Sequence, residues 1–194
     1  MLNASIVLYH HSIDTIKPLV ETLRASNLIS DIFLIDNSQS PNADFEKLPV
    51  TYIFTGKNLG YGAGHNIAMR ETLKKNVPYH LVVNPDVAFE PEILKKIVDF
   101  MDKNTNIGLL MPKVFYPDGE IQYLCKLLPT PFDLIFRRFL PERWTKKRTE
   151  KFEMRASGYD KVMDVPYLSG CFMFFRTEAF REVGLFDERF FLYP

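Results

Sequence analysis

The sequence predicts an α/β fold, a mostly parallel sheet with helices on both faces. Three observations lead there. Short β-rich apolar runs alternate with stretches of helical period, each of the first four runs leads into polar turn residues, and three glycines crowd the segment after the third run.

The predicted strands begin with Ser5–Tyr9 and continue with Ile32–Ile35, Tyr52–Phe54, Leu81–Val83 and Ile107–Met111. Ser12 can cap a first helix in which Ile16, Leu19, Val20 and Leu23 recur at i, i+3, i+4 and i+7, and Pro18 is tolerable there only near the first turn. Between Asn58 and Asn66, Gly60, Gly62 and Gly64 mark a backbone that turns tightly or lies close against something, with a second helix expected from Ile67 to Lys75. A third helix opens at Pro91, with Glu90 and Glu92 at the positive end of its dipole. Ile93, Leu94, Ile97, Val98 and Met101 form the stripe that should cover the sheet.

Past Pro112 the pattern loosens. Pro117-Asp118-Gly119 reads as a turn, and the stretch 129–151 carries seven Lys or Arg against two Glu, with Trp144 and several Phe among them. Val162–Val165 and Cys171–Phe175 read as strands. Thr177 then caps a short helix that has Glu178 in its first turn and Gly184 at its end.

Length and composition bound the function. A chain of 194 residues, 46% of them apolar, suffices for one domain over 1–194. A formal net charge of zero gives no global attraction to nucleic acid, so an anionic partner must be held by a local site. Cys125 and Cys171 stand without a C-x-x-C pair and read as buried thiols of a reduced compartment. With no basic leader before the first apolar run and no stretch of membrane-span length, a cytoplasmic location is expected.

In open α/β sheets ligands bind at the carboxyl ends of the strands, and here those ends are polar: Tyr9-His10, Asp36-Asn37-Ser38, Asn58 with the glycines, and Asn84-Pro85-Asp86. Each alone reads as an ordinary turn; four along one edge point to a ligand site. Asp36 either accepts hydrogen bonds from a base or ribose or closes an Asx-turn. Asp86 either holds a hard divalent cation against a diphosphate or caps the approach to the third helix. The glycine segment puts His65 where a dinucleotide fingerprint needs its third glycine, which makes a nucleotide-dependent oxidoreductase the weaker alternative. His10, His11, His65 and His80 share no ligand spacing and read as non-metal residues.

Taken in order, the segments Ser5–His10, Asp36–Ser38, Asn58–Asn66, Asn84–Val87, Gly170 with its apolar strand, and Gly184–Tyr193 resemble family 2 glycosyltransferases of the GT-A fold. Among these the chain is similar to the rhamnosyltransferase-like enzymes of bacterial surface-polysaccharide assembly. The resemblance implies a GT-A-type nucleotide-sugar-binding domain. It also implies an inverting, hexosyltransferase-type enzyme that moves a sugar from a UDP- or dTDP-linked donor to a glycan or lipid-linked acceptor, with Mn²⁺ or Mg²⁺ as cofactor. By the same resemblance Tyr9 meets the nucleotide, His10 stands where an Asn is usual, Asp36 binds the base, and Asn58, Gly60 and Asn66 pack against the nucleotide. Asn84 and Asp86 take the first and last places of the D-x-D-like motif, which leaves Asp86 as its carboxylate metal ligand. Tyr167 and Gly170 fall on the acceptor side. The family's general base follows the Phe-Asp-Glu-x-Phe-Phe-x-Tyr stretch at a position after Pro194, so Asp187 and Glu188 are only substitute candidates, and a non-catalytic nucleotide-sugar-binding fragment stands as the alternative. The basic stretch Arg137–Lys151, with Arg138, Lys146, Lys147 and Arg148, reads either as a solvated segment or as a peripheral contact with anionic lipid.

Overall fold

The structure, a computed structural model, describes residues 1–130 and 142–192. The chain forms two compact units, one of Met1–Leu110 with Gly170–Pro194 and one of Met111–Ser169. In chain order the elements are β1 (Leu2–Leu8), α1 (Ile13–Ala25), β2 (Ile29–Asp36), β3 (Thr51–Phe54), α2 (Tyr61–Lys74), β4 (Tyr79–Val83), α3 (Glu92–Lys103) and β5 (Leu109–Leu110). There follow β6 (Val114–Phe115), β7 (Ile121–Gln122), β8 (Cys125–Lys126), α4 (Glu142–Phe152), β9 (Tyr167–Leu168), β10 (Phe172–Arg176) and α5 (Thr177–Val183).

The first unit is a six-stranded sheet of order β3-β2-β1-β4-β10-β5. β3, β2, β1 and β4 run parallel, and β10 pairs antiparallel with both β4 and β5. The chain moves outward from β1 to β2 and β3, then returns to lay β4 on the other side of β1, so the strand order reverses between β1 and β4.

Strand alternation divides the core. Leu2, Ala4, Ile6 and Leu8 of β1 turn to one face, where Ile16, Leu19, Val20 and Leu23 of α1 and Leu94, Ile97 and Met101 of α3 cover them. Side chains of this kind, fully buried, contribute about 1.5–3 kcal/mol each. The opposite face receives α2, and Gly64 lets it come close: a Cβ there would lie 2.8 Å from Val7 Cγ2.

Several boundaries differ from the sequence reading. α2 begins at Tyr61 rather than Ile67, because Gly62 and Gly64 are helical residues whose missing side chains permit close packing; only Gly60, at φ 83°, makes the turn. Pro18 lies well inside α1, beyond the first turn; it is exposed, as is Asp14, whose carbonyl lacks the i+4 donor and is left to water. Val162–Val165 forms no strand, and its place is taken by β9 at Tyr167–Leu168, which pairs with β8. Only Leu109–Leu110 of the predicted fifth run is strand. Thr177 is the first residue of α5 rather than its cap; it is buried, and its hydroxyl has no partner among the described residues. Gly184 ends that helix at φ 86°, as its sequence position suggests. Cys125 is buried, and Cys171 only half so.

In the second unit the expected turn at Pro117–Gly119 closes a hairpin of β6 and β7, with Gly119 at φ 89°. Tyr159 accepts the Cys125 N–H at 2.8 Å and so braces β8. Of the basic stretch, Arg137 and Arg138 lie outside the described residues, while Arg143, Lys146, Lys147 and Arg148 are exposed on α4. Among the described residues, no helix is long and apolar enough to cross a membrane.

Candidate functional site

Parallel pairing sets Leu8 beside Asp36, and Ser5 beside Val82, so the turn after β4 emerges at the same sheet edge as Asp36. With strands about 4.8 Å apart, Asp36 and the turn containing Asp86 flank the end of β1 at roughly 10 Å from each other.

Asp36 is buried at the end of β2. Its Oδ1 accepts the Ser38 N–H at 2.9 Å, which is the Asx-turn the sequence allowed, and its Oδ2 accepts the Tyr52 hydroxyl at 2.8 Å. Each carboxylate oxygen keeps a second lone pair that could accept one more donor. Burial, opposed by the Asn42 N–H and helped by smaller contributions from the Asp36 bond and charge, pushes the Tyr52 phenol up to about 12, so it remains a donor throughout the neutral range. Ser38 also accepts the His10 N–H, at 3.0 Å, tying the β1 and β2 ends together. His10 sits at φ 58°, a left-handed conformation that His and Asn tolerate better than most residues. Tyr9 beside it is 44% exposed and offers a ring at the open edge.

The glycine segment closes the next part of the edge. Asn58 is exposed and its Oδ1 accepts the Gly60 N–H at 3.0 Å, while Asn37 Nδ2 donates to Gly60 O at 3.0 Å. Asn66, expected against the nucleotide, is buried one turn further along α2. Its Nδ2 donates to Phe186 O at 2.8 Å and to Glu188 Oε1 at 3.0 Å, and its Oδ1 accepts the Phe186 N–H at 3.1 Å.

Asn84 is half-buried after β4, its N–H bonded to Cys171 O at 2.9 Å. Asp86 is exposed. It borders a cavity of about 710 Å³ lined by Thr15, Pro18, Leu19 and Thr22 of α1 and by residues 85–91; Asp36, Tyr9 and the glycine segment do not line it. Asp86 and Asp36 therefore share an edge rather than this one cavity. No group of three or more His, Cys, Asp or Glu among the described residues could hold a metal ion. What the donor set fits is a hard cation held by one carboxylate and completed by oxygens of a bound diphosphate.

Tyr167 lies in β9 and Gly170 precedes β10, its carbonyl accepting the Tyr61 hydroxyl. The two acids near the end of the chain are both engaged. Arg189 pairs with Asp187 at 2.5 Å, and its side-chain and backbone hydrogen bonds hold that carboxyl down to about 2. Asn66 and Arg70 hold Glu188 below its ordinary value. A carboxylate so stabilised in its charged form is a weak proton acceptor at neutral pH.

Sequence reasoning left the histidines and the polar residues of β1 without a role. Ser5 Oγ lies 2.8 Å from both His65 Nδ1 and His80 Nε2, and Thr72 Oγ1 lies 2.7 Å from His80 Nδ1 and accepts Asn3 Nδ2 at 3.0 Å. Thr72 donates to Ala68 O at 3.1 Å, which makes His80 the donor to Thr72, Ser5 the donor to His80 and His65 the donor to Ser5. His65 Nε2 is then a buried acceptor with no partner among the described residues. Burial lowers both rings, His80 to about 3 and His65 further helped by the charge of His80, so the cluster is neutral and joins β1, β4 and α2. The alternation of polar and apolar residues along Leu2–Leu8 was the available signal: Asn3 and Ser5 point at α2.

Comparison with known proteins agrees with this architecture. Over 180 residues the chain is 29% identical to an N-acetylglucosaminyl-diphospho-decaprenol L-rhamnosyltransferase of Mycobacterium tuberculosis, covering 84% of this chain and 57% of the relative. Over 193 residues it is 25% identical to the low-salt glycan biosynthesis hexosyltransferase Agl10 of Haloferax volcanii, covering 97% and 57%. The chain thus spans little more than half the length of these relatives. Its fold matches the mannosyltransferase PcManGT of Pyrobaculum calidifontis, solved in complex with GDP-Man and Mn²⁺, with a TM-score of 0.59 at 12% identity over 96% of this chain and 47% of that one. The sequence model of glycosyl transferase family 2 matches residues 5–184, from β1 through the glycine that ends α5, and the chain belongs to that family.

Proposed function

We propose that the chain is the donor-binding domain of an inverting glycosyltransferase, acting at the cytoplasmic side of a membrane, that passes a sugar from a UDP- or dTDP-linked donor to a glycan or lipid-linked acceptor in surface-polysaccharide assembly. The observation that carries the reading is the shared edge: Asp36 and Asp86 flank the end of β1, at the point where strand order reverses. A nucleoside diphosphate needs acceptors for its base and ribose at one end and charge neutralisation at the other. Asp36 serves the first need, with Tyr9 stacking on the base and Asn58, Gly60 and Asn84 completing the polar edge, while Asn66 is turned to Phe186 instead. Asp86 serves the second, holding Mn²⁺ or Mg²⁺ together with the donor's phosphate oxygens. The ion, when bound, neutralises the diphosphate as the sugar–phosphate bond breaks. The acceptor side is assigned to Gly170 and the segment around Asp187. The exposed basic residues of α4 support a resting contact with anionic lipid, worth about 1 kcal/mol for each charge near the surface.

A binding-only module is the second reading, favoured by the engagement of Asp187 and Glu188 with Arg189, Asn66 and Arg70. Calorimetric titration with UDP and dTDP, with and without Mn²⁺, tests the first. The expected result is Mn²⁺-dependent binding that Asp86→Ala weakens tenfold or more. Binding that ignores both Mn²⁺ and this substitution refutes the role of Asp86, and tight NAD binding without UDP or dTDP binding replaces the reading with an oxidoreductase. Sugar release from a bound donor separates transfer from binding alone.

A further inference from the structure

Tyr61 stands where three chain segments meet. It is the first residue of α2, its backbone N–H donates to Phe191 O at 3.0 Å, and its hydroxyl donates to Gly170 O. A Cβ at Gly170 would lie 2.9 Å from the Tyr61 hydroxyl oxygen, and one at Gly60 would overlap the Phe191 carbonyl, so both positions let backbone close on this residue. Further along α2, Asn66 engages the backbone of Phe186 in both directions, giving it the pairing a neighbouring strand would give. Arg70 adds an ion pair with Glu188 at 2.5 Å. One helix therefore holds Gly170, just ahead of β10, and the Phe186–Phe191 run at Phe186, Glu188 and Phe191. Through the Asn37 bond to Gly60 O, the same helix is anchored to the donor-side edge.

We propose that Tyr61 and Asn66 are positioning residues that set the acceptor-side segments, Gly170 and Phe186–Phe191, against the donor-side glycine segment Asn58–Gly60. The assignment of donor and acceptor sides rests on the glycosyltransferase reading above. Group transfer requires the reacting atoms to be held at about 3–3.5 Å, so segments that carry the two substrates need a common rigid reference. The first two turns of α2 are that reference. Neither residue touches a reacting atom; each acts through backbone it holds.

The test joins site-resolved amide hydrogen exchange with kinetics of UDP or dTDP release, using UDP-glucose and dTDP-rhamnose as the donors. Asn66→Ala is expected to speed exchange of the Phe186 and Tyr61 amides about tenfold, with β1 and β4 unchanged, and to lower kcat about tenfold while donor KM moves less than twofold. Tyr61→Phe removes a single hydroxyl and should lower kcat about threefold with donor KM again unchanged; it decides the matter if Asn66→Ala does not fold. Unchanged exchange at Phe186 and Tyr61, unchanged kcat despite faster exchange, or donor KM rising in step with the fall in kcat overturns the proposal. If the parent protein neither binds UDP or dTDP nor releases it from a donor, the glycosyltransferase reading fails, while the exchange comparison still decides whether these residues hold the two segments.

Discussion

Tyr52 donates its hydroxyl to Asp36 Oδ2 at 2.8 Å, from the strand next to the one that Asp36 ends. Because Ser38 N–H occupies the other oxygen, the carboxylate is fixed at two points before any ligand arrives. Tyr52→Phe removes one charge-assisted hydrogen bond and should cost about 1.5–3 kcal/mol in urea unfolding. The same variant should weaken UDP or dTDP binding a few-fold by calorimetry, since the carboxylate survives but loses its fixed orientation. Asp36→Ala should abolish that binding.

Mn²⁺ by itself should bind poorly, with Kd in the millimolar range or weaker, because Asp86 is the carboxylate at this edge that faces solvent and no three-ligand group accompanies it among the described residues. Adding UDP or dTDP should tighten Mn²⁺, and Mn²⁺ should tighten the nucleotide by the same factor, as linkage demands. Titration followed by electron paramagnetic resonance of free Mn²⁺ measures the first factor and calorimetry the second. No mutual tightening of Mn²⁺ and nucleotide, or micromolar Mn²⁺ binding without nucleotide, would show that the ion sits elsewhere.

Gly64→Ala places a methyl group against Val7 Cγ2, at 2.8 Å, and Asn37 Nδ2, at 3.3 Å. Neither is the free end of a flexible chain, so α2 must move away from β1. The expected cost is about 1–3 kcal/mol in urea unfolding, the range for overpacking a core.

The pH dependence follows from the buried histidines. His65 and His80 are held neutral in the fold, below the value of about 6.5 that they regain on unfolding, so below that pH the unfolded chain binds more protons than the folded one. The stability contributed is complete above pH ~6.5 and declines as pH falls toward the folded values. Between roughly pH 6.5 and 5, before free carboxylates titrate, the loss of stability per ring should steepen toward a limit of about 1.4 kcal/mol per pH unit. Urea midpoints across this window check the slope, and His65→Gln should remove about half of it.

How much of this was legible in the sequence depends on the range of the interaction. The apolar stripe of α3, Ile93 through Met101, was readable because helical period is a local property, and Gly184 because a left-handed helix end favours glycine wherever it occurs. The polar strand ends Asp36 and Asn84–Asp86 were readable because the edge of a parallel sheet follows from chain direction alone. Other features were not. The start of α2 was missed because Gly62 and Gly64 signal a turn unless the strand they pack against is known. Asn66 was matched to a nucleotide-side segment, and no local rule connects it to Phe186, 120 residues away.

Alternation, period and turn chemistry thus determined the α/β class, the succession of strands and helices, and the edge at which the polar residues gather, since each is written in residues a few positions apart. Only the tertiary structure decided what those residues touch: that Asp36 is gripped by Tyr52, that Ser5, His65 and His80 form one neutral cluster, and that Tyr61 and Asn66 hold the final segment. Such contacts join positions far apart along the chain, and the hydrogen bonds of a buried polar group are chosen by whichever partner the packed core brings within about 3 Å.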